Sequence, residues 1–297
     1  MPHSKIVLRV FGGIGNQLFS YAAARRLALL NNVELVLDHV SGFEFDIEYK
    51  RQFQLNRFHI PCRKARAFER LEPFSRGRRF IKRKLNQKIP FEKRAYLIQE
   101  GVDFDPRLLN FTPKGTVHLE GYWQSEDYFK DQAEVIRQDL QIIPPVDAEN
   151  LAMADQIRNT QSVAVHLRFF DDPQGNSTNN ASREYYARAI ESMERLAPAS
   201  HYYIFSDKPD AARASLSLPE ERVTLVSHNR GDENAYADLW LMTLCNHFII
   251  ANSTFSWWGA WLSDSVGKIV IAPGFECREG IAWWGFKGLI PDAWITC

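Results

Sequence analysis

The stretch His247-Phe248-Ile249-Ile250-Ala251-Asn252-Ser253-Thr254-Phe255-Ser256-Trp257-Trp258-Gly259-Ala260-Trp261 runs from a short apolar segment through small polar side chains into an aromatic segment with Gly and Ala. It reads as a strand, a tight turn and a helix. Asn252, Ser253 and Thr254 are residues that cap helices. The free backbone N–H groups of the helix's first turn, with Phe255 among them, can face an anion. In open α/β sheets, ligands settle in the crevice at the carboxyl ends of the strands. The same residues also suit a capped core helix whose tryptophans only pack.

Outward from this stretch, strand-like and helical segments alternate. Strands are expected at Lys5–Val10, Val33–Leu37, Thr116–Leu119, Ser162–Leu167, Tyr202–Phe205, Val223–Val226, Phe248–Ala251 and Lys268–Ala272. Helices are expected at Gln17–Leu30, Glu126–Leu140, Ala148–Asn159, Arg183–Leu196 and Asn234–Cys245. Continuously apolar strands spaced by helices imply parallel sheets covered on both faces. Consecutive prolines at Pro144-Pro145 break the alternation. The expected architecture is α/β, with two Rossmann-like domains over residues 1–145 and 146–297 and a cleft between them.

The chain has 297 residues, 45% hydrophobic and 24% charged, with 36 basic and 36 acidic side chains. That is ordinary globular composition and gives no reason to expect a nucleic-acid partner. No run is long enough for a membrane span, and no secretory signal is legible. Cys62, Cys245, Cys277 and Cys297 are scattered without Cys-x-x-Cys spacing, which reads as reduced thiols of a cytoplasmic protein. Charge is uneven. Residues 63–94 hold 13 Lys/Arg against 3 Asp/Glu. This stretch is either a solvated face or a basic surface for anionic lipid at the inner face of the membrane.

Three other strand ends carry candidate chemistry. Phe11-Gly12-Gly13-Ile14-Gly15-Asn16-Gln17-Leu18 places glycines where backbone approaches a ligand, with two amide side chains at a helix start. A dinucleotide site with Asp38 on the ribose is one reading of it, but Leu18 stands where that fingerprint needs a third glycine. A structural turn is another. His166 and Arg168 lie two apart at a strand end and share a face. Arg168 offers a fork of donors suited to a pyrophosphate, with Asp171 able to orient either cation. A structural ion pair is the alternative. Ser206-Asp207 ends another strand, where Asp207 either meets a base edge or hydroxyl or caps the helix near Pro209. Asp103-Phe104-Asp105 matches a metal-binding Asp-x-Asp pattern but sits before Pro106 as a turn would, and no metal site is expected there.

Gly12 to Ala22, Gly121-Tyr122-Trp123-Gln124-Ser125, Ile204 to Asp207 and Ala251 to Trp258 resemble, in order and spacing, the motifs of glycosyltransferase family 11, the α-1,2-fucosyltransferases. The resemblance implies a GT-B fold, GDP-β-L-fucose as donor, a galactoside acceptor in a glycan, inversion, and no cofactor or essential metal; the basic stretch and the absent signal suit a lipid-linked O-antigen repeat as that glycan. It implies a catalytic group of Arg168, Asn16, His166 and Asp171. Donor binding would fall to Gly13, Gly15, Asn16, Gln17, His166, Arg168, Ser206, Asp207, His247, Asn252, Ser253, Thr254 and Phe255. Asn16 would reach the donor when the cleft closes. Trp123 and Gln124 are candidates for an acceptor groove, with core packing the alternative for Trp123. The chain departs from the family's His-x-Arg-Arg-Gly-Asp-Tyr at Phe169, Phe170 and Asp172, and has Lys208 where a second aspartate is usual. A nicotinamide-dependent oxidoreductase and a catalytically silent glycan-binding protein are the rival readings.

Overall fold

Two parallel sheets organise the chain, one in each of two compact units. The computed structural model describes residues 4–47, 49–170, 180–274, 284 and 287–297. The first unit comprises residues 1–141 with 286–289, and the second residues 142–285 with 290–297. The break thus falls four residues before the expected one. Pro144 and Pro145 lie in the connection, and a short piece near the carboxyl terminus belongs to the first unit. Within that unit Lys287 N donates to Asp103 Oδ1 at 3.0 Å and Phe104 N donates to Lys287 O at 3.3 Å.

In the first unit, β1 (Lys5–Arg9) leads into α1 (Ile14–Asn31) and β2 (Glu34–Asp38). Then follow β3 (Arg63–Lys64), α2 (Ser75–Asn86), β4 (Tyr96–Ile98), β5 (Thr116–Glu120) and α3 (Ala133–Asp139). The strand order is β3-β2-β1-β5-β4, all parallel. Ile6, Val7 and Leu8 are buried because β1 is central and covered on both faces. α1 is buried along most of its length, so its apolar residues need no single stripe. Asn32 ends it at φ 49°, a left-handed cap conformation that asparagine tolerates. The helix expected over Glu126–Leu140 is instead two short 3₁₀ turns followed by α3. Ser125 starts the first turn by accepting from Asp127 N, and Tyr128 and Phe129 are drawn into the core.

In the second unit, Asp147 accepts from Asn150 N and so caps α4 (Ala148–Arg158). Next come β6 (Ser162–Leu167), α5 (Arg183–Leu196), β7 (His201–Ser206), α6 (Pro209–Ser215) and β8 (Val223–Val226). They are followed by α7 (Ala235–Thr243), β9 (His247–Ile249), α8 (Thr254–Leu262), β10 (Val270–Ala272) and β11 (Ile295–Thr296). The order is β11-β10-β9-β6-β7-β8, again parallel. The strand expected from Lys268 starts two residues later. Lys268 Nζ instead folds back onto the carbonyls of Ala260 (2.7 Å) and Ser263 (2.6 Å) at the end of α8.

In both sheets the chain builds outward from one strand and then returns to its other side. That strand is β1 in the first unit and β6 in the second. Each sheet therefore has a switch point, between β1 and β5 and between β6 and β9, where side chains after the strand ends face an open crevice. Cys62, Cys245 and Cys297 are free thiols, and Cys277 lies outside the described residues. Among the described residues no helix is long and apolar enough to cross a membrane.

Candidate active site

The second unit's switch point gathers residues from four elements. His166 lies at the end of β6 and is buried. Burial, and then the nearby Arg168 guanidinium, push its imidazole down to about 3, so the ring is neutral. Its carbonyl accepts from Tyr186 Oη at 2.9 Å, and its ring leans on Phe255 with centroids 5.3 Å apart. Its buried Nδ1 has no hydrogen-bond partner among the described residues. One residue past the strand, Arg168 pairs with Asp207 at 2.8 Å, and the second Asp207 oxygen accepts from Phe169 N at 3.1 Å.

Asp207 thus supplies a carboxylate to the cation. The expectation that Asp171 orients it falls on a residue that, like Asp172, lies outside the described residues. Leu167 pairs with Ser206 in register, and the next residues on each strand, Arg168 and Asp207, then meet across the sheet edge. Asp207 is not a helix cap. Ser206 Oγ accepts from Lys208 N at 3.1 Å, and α6 begins without a side-chain cap. The Phe170 ring lies 5.3 Å from the Arg168 guanidinium carbon, so an aromatic face fills the place of the glycine in the family pattern.

On the other side of the switch point, Asn252 is buried and Ser253, Thr254 and Phe255 are half-buried at the start of α8. Tyr185 Oη donates to Ile250 O at 2.6 Å and to Ile271 O at 3.1 Å, pinning the strand ends beneath the turn. Ser253 caps α8 by accepting from Phe255 N at 3.3 Å, so that amide already has an internal partner. Trp257, Trp258 and Trp261 pack in the core. Along the helix, then, the first turn stays partly accessible and the later turns are core.

His247 does not belong to this group. It sits at the amino end of β9 opposite Val163, three residues before His166. At about 3.3 Å per residue that is roughly 10 Å away along the sheet. Its Nδ1 accepts from Ile269 N at 3.1 Å, and burial lowers the ring's proton affinity.

The first unit's switch point holds the glycine turn and the segment after β5. Gly12 has φ 78°, and a Cβ there would lie 3.1 Å from Tyr122 Oη and 3.2 Å from Asn16 Nδ2. Asn16 Oδ1 accepts from Gln124 Nε2 at 2.7 Å, and its side chain also bonds Tyr122. Both ends of the amide are thus oriented. Gln17 is fully buried. It donates to Gly12 O (2.9 Å) and Gln52 O (2.8 Å) and accepts from Gln54 N (2.9 Å). It is a strut between two loops rather than a ligand-binding group. Gly15 is likewise buried in the first turn of α1, whereas Gly13 stays partly accessible.

A cleft of about 240 Å³ opens here, lined chiefly by Phe11, Ile98, Gln99, Glu120, Tyr122 and Gln124. Trp123 is wholly buried at φ 54°, so it is core and its neighbours form the wall. Gln99 Oε1 accepts from the amides of Tyr122 and Trp123 and fixes that turn. Asp38 is not poised for a ribose. Its carboxylate accepts from Ser41 N and Oγ and faces Arg79 at 3.6 Å. Asp105 is tied to Arg107 at 2.6 Å. No group of three His, Cys, Asp or Glu positioned to hold a metal occurs among the described residues. Sequence reasoning missed Arg51, whose guanidinium carbon lies 3.7 Å from the position of a Cβ on Gly13. It stands in a loop without pattern, with its guanidinium carbon 5.4 Å from the Tyr49 ring.

The model of glycosyl transferase family 11 matches residues 46–277. An α-1,2-colitosyltransferase of Escherichia coli is 30% identical over 291 residues, spanning 93% of this chain and 94% of that protein. The O-antigen biosynthesis glycosyltransferase WbnK of Escherichia coli is 26% identical, spanning 96% and 98%. Among solved structures, the α-1,6-fucosyltransferase NodZ soaked with GDP-fucose superposes with a TM-score of 0.51 at 14% identity, covering 88% of this chain and 92% of that one. NodZ from Bradyrhizobium gives 0.52 at 14% identity, with coverage of 87% and 92%. That likeness is one of fold, and the fold is GT-B. A family model spanning most of the chain, with a relative aligned along nearly all of it, shows that this protein is a glycosyltransferase belonging to glycosyl transferase family 11.

Proposed function

We propose that this glycosyltransferase moves L-fucose from GDP-β-L-fucose to the 2-hydroxyl of a galactoside in a glycan, with inversion. The observation that carries the reading is the Arg168–Asp207 clamp beside buried His166 and the start of α8. As the bond between fucose C1 and the β-phosphate oxygen breaks, negative charge collects on the phosphate. A pre-positioned guanidinium and a helix N-terminus stabilise that charge without reorganising. Asp207 holds the fork in place, and His166 Nδ1 offers a polar contact to the donor. Inversion takes one in-line displacement, so no covalent nucleophile is required. The acceptor sugar is assigned to the first unit's cleft. There Phe11 and Tyr122 provide stacking faces, and Gln99 and Gln124 provide amides.

No cofactor beyond the donor is proposed. Colitose is the second candidate for the transferred sugar, favoured by the name of the colitosyltransferase relative. Fucose and colitose differ by one hydroxyl, which a site built to bond that group would discriminate strongly.

A thermal-shift panel of GDP, GDP-fucose, GDP-colitose, UDP-galactose and NADH tests the donor. Transfer to β-galactosides follows, with and without EDTA. GDP at about a hundred times its Kd should add about 2.7 kcal/mol of stability. Stabilisation by NADH but not by GDP would favour the oxidoreductase. Donor binding with no transfer to any glycan would leave a silent binding protein. Activity abolished by EDTA and restored by Mn²⁺ would overturn the metal-free reading.

A further inference from the structure

Helix α2 is built inside out. Its inward groups are polar: buried Arg79 faces Asp38 at 3.6 Å, Arg83 pairs with Glu120, and buried Asn86 accepts from the amides of Ala95 and Tyr96. Its apolar groups point to solvent. Phe80 is 60% exposed, Ile81 57% and Leu85 61%, and Phe74, immediately before the helix, is 82% exposed. A surface helix ordinarily turns its apolar stripe to the core, and a contiguous exposed patch marks an interaction surface.

Along α2 the charge has one sign. From Pro73 to Phe91 there are seven Lys/Arg and no Asp/Glu. Arg79 and Arg83 are spent on internal partners. Arg76, Arg78, Lys84 and Lys88 are exposed and have no acidic partner within 4 Å among the described residues. Arg76 lies over the exposed Phe45 ring at 5.4 Å and carries the patch beyond the helix. A second copy of α2 packed on this one would bring only like charge. Apolar side chains set among cations fit a surface that is anionic outside and apolar beneath.

We propose that α2 docks the first unit on an anionic phospholipid bilayer. Phe74, Phe80, Ile81 and Leu85 would enter the boundary between headgroups and acyl chains, and the cations would meet the phosphates. The proposal is independent of the donor assignment, because its test uses no nucleotide. The intact protein is co-sedimented with vesicles of phosphatidylcholine alone and of phosphatidylcholine mixed with phosphatidylglycerol, at low and high salt. Binding should require phosphatidylglycerol and weaken in salt. Phe80→Ser/Ile81→Ser/Leu85→Ser should lower partitioning about tenfold or more. Arg78→Glu/Lys84→Glu should lower it by about fivefold or more per reversed charge. Circular dichroism melts check that both variants remain folded. Absence of vesicle binding, equal binding to both vesicle types, or unchanged binding by both variants overturns the proposal. So does concentration-dependent dimerisation abolished by the serine variant, which would make this face a contact between copies.

Discussion

Arg168 has its partner within the protein before any substrate arrives. The Asp207 carboxylate fixes the guanidinium at 2.8 Å, so its donors are oriented where phosphate charge is proposed to develop. Arg168→Ala should lower kcat by about 10²–10³, as loss of an oxyanion donor does. Arg168→Lys should recover little of this, because an ammonium cannot reproduce the planar fork. Asp207→Asn keeps a hydrogen-bond acceptor but loses the charge that orients Arg168, and should fall between wild type and Arg168→Ala. Steady-state kinetics on the three variants test this, and near-normal turnover in Arg168→Ala would remove Arg168 from the mechanism. Arg168 and Asp207 each stand out in the sequence as polar residues just past a strand end. Their pairing was not legible, because the two are adjacent only through the β6–β7 register. Gln17 misled for a related reason. Its position after glycines suggests exposure, but α1 is buried on nearly every face and turns that amide inward.

Elements place these residues because each switch point lies where two parallel strands end side by side. In the first unit the wall of the cleft depends on the turn after β5. Gly121 is required there by space: a Cβ would fall 2.5 Å from Gln99 Cβ and 2.8 Å from Trp123 Nε1. Neither neighbour is a free chain end, since Gln99 Oε1 accepts from two amides and Trp123 is buried. Gly121→Ala should therefore destabilise the protein by about 1–3 kcal/mol, as overpacking does. Urea denaturation measures this, and an unchanged midpoint would show that the turn yields at no cost. The strand–helix alternation was readable from apolar runs and glycines, because central parallel strands leave that pattern. The short strands β3, β4 and β11 were not expected. Two or three residues carry too little periodicity, and their pairing is set by the neighbouring strand. The region Glu126–Leu140 has helical composition but gives up continuity to bury Tyr128 and Phe129.

Across the whole molecule, the division into two units determines how pH acts on stability. Two groups of the second unit titrate far from their ordinary values, in opposite senses. Burial, then Arg168, lowers His166 from 6.5 to about 3. Burial raises Asp238 from 3.8 to about 7, against the Asn229 amide that donates to it at 2.8 Å. Between about pH 3 and 6.5 the unfolded chain binds a proton at His166 that the folded chain refuses, so this group's contribution is lost as pH falls through that window. Between about pH 4 and 7 the folded chain keeps a proton on Asp238 that the unfolded chain releases, so stability is lost as pH rises. Each slope approaches about 1.4 kcal/mol per pH unit, and where the windows overlap they largely cancel. Asp238→Asn removes one of the two while preserving an acceptor for Asn229. The variant should match wild type near about pH 4 and exceed it by about 1–3 kcal/mol near about pH 8. Only an unfolding transition that includes the second unit should move, because Asp238, Asn229 and their neighbour Asn150 all lie within it. Urea titrations across that pH range, followed by probes in each unit, decide the matter. A stability difference that does not change with pH would mean that the Asp238 carboxyl is already ionised in the folded protein.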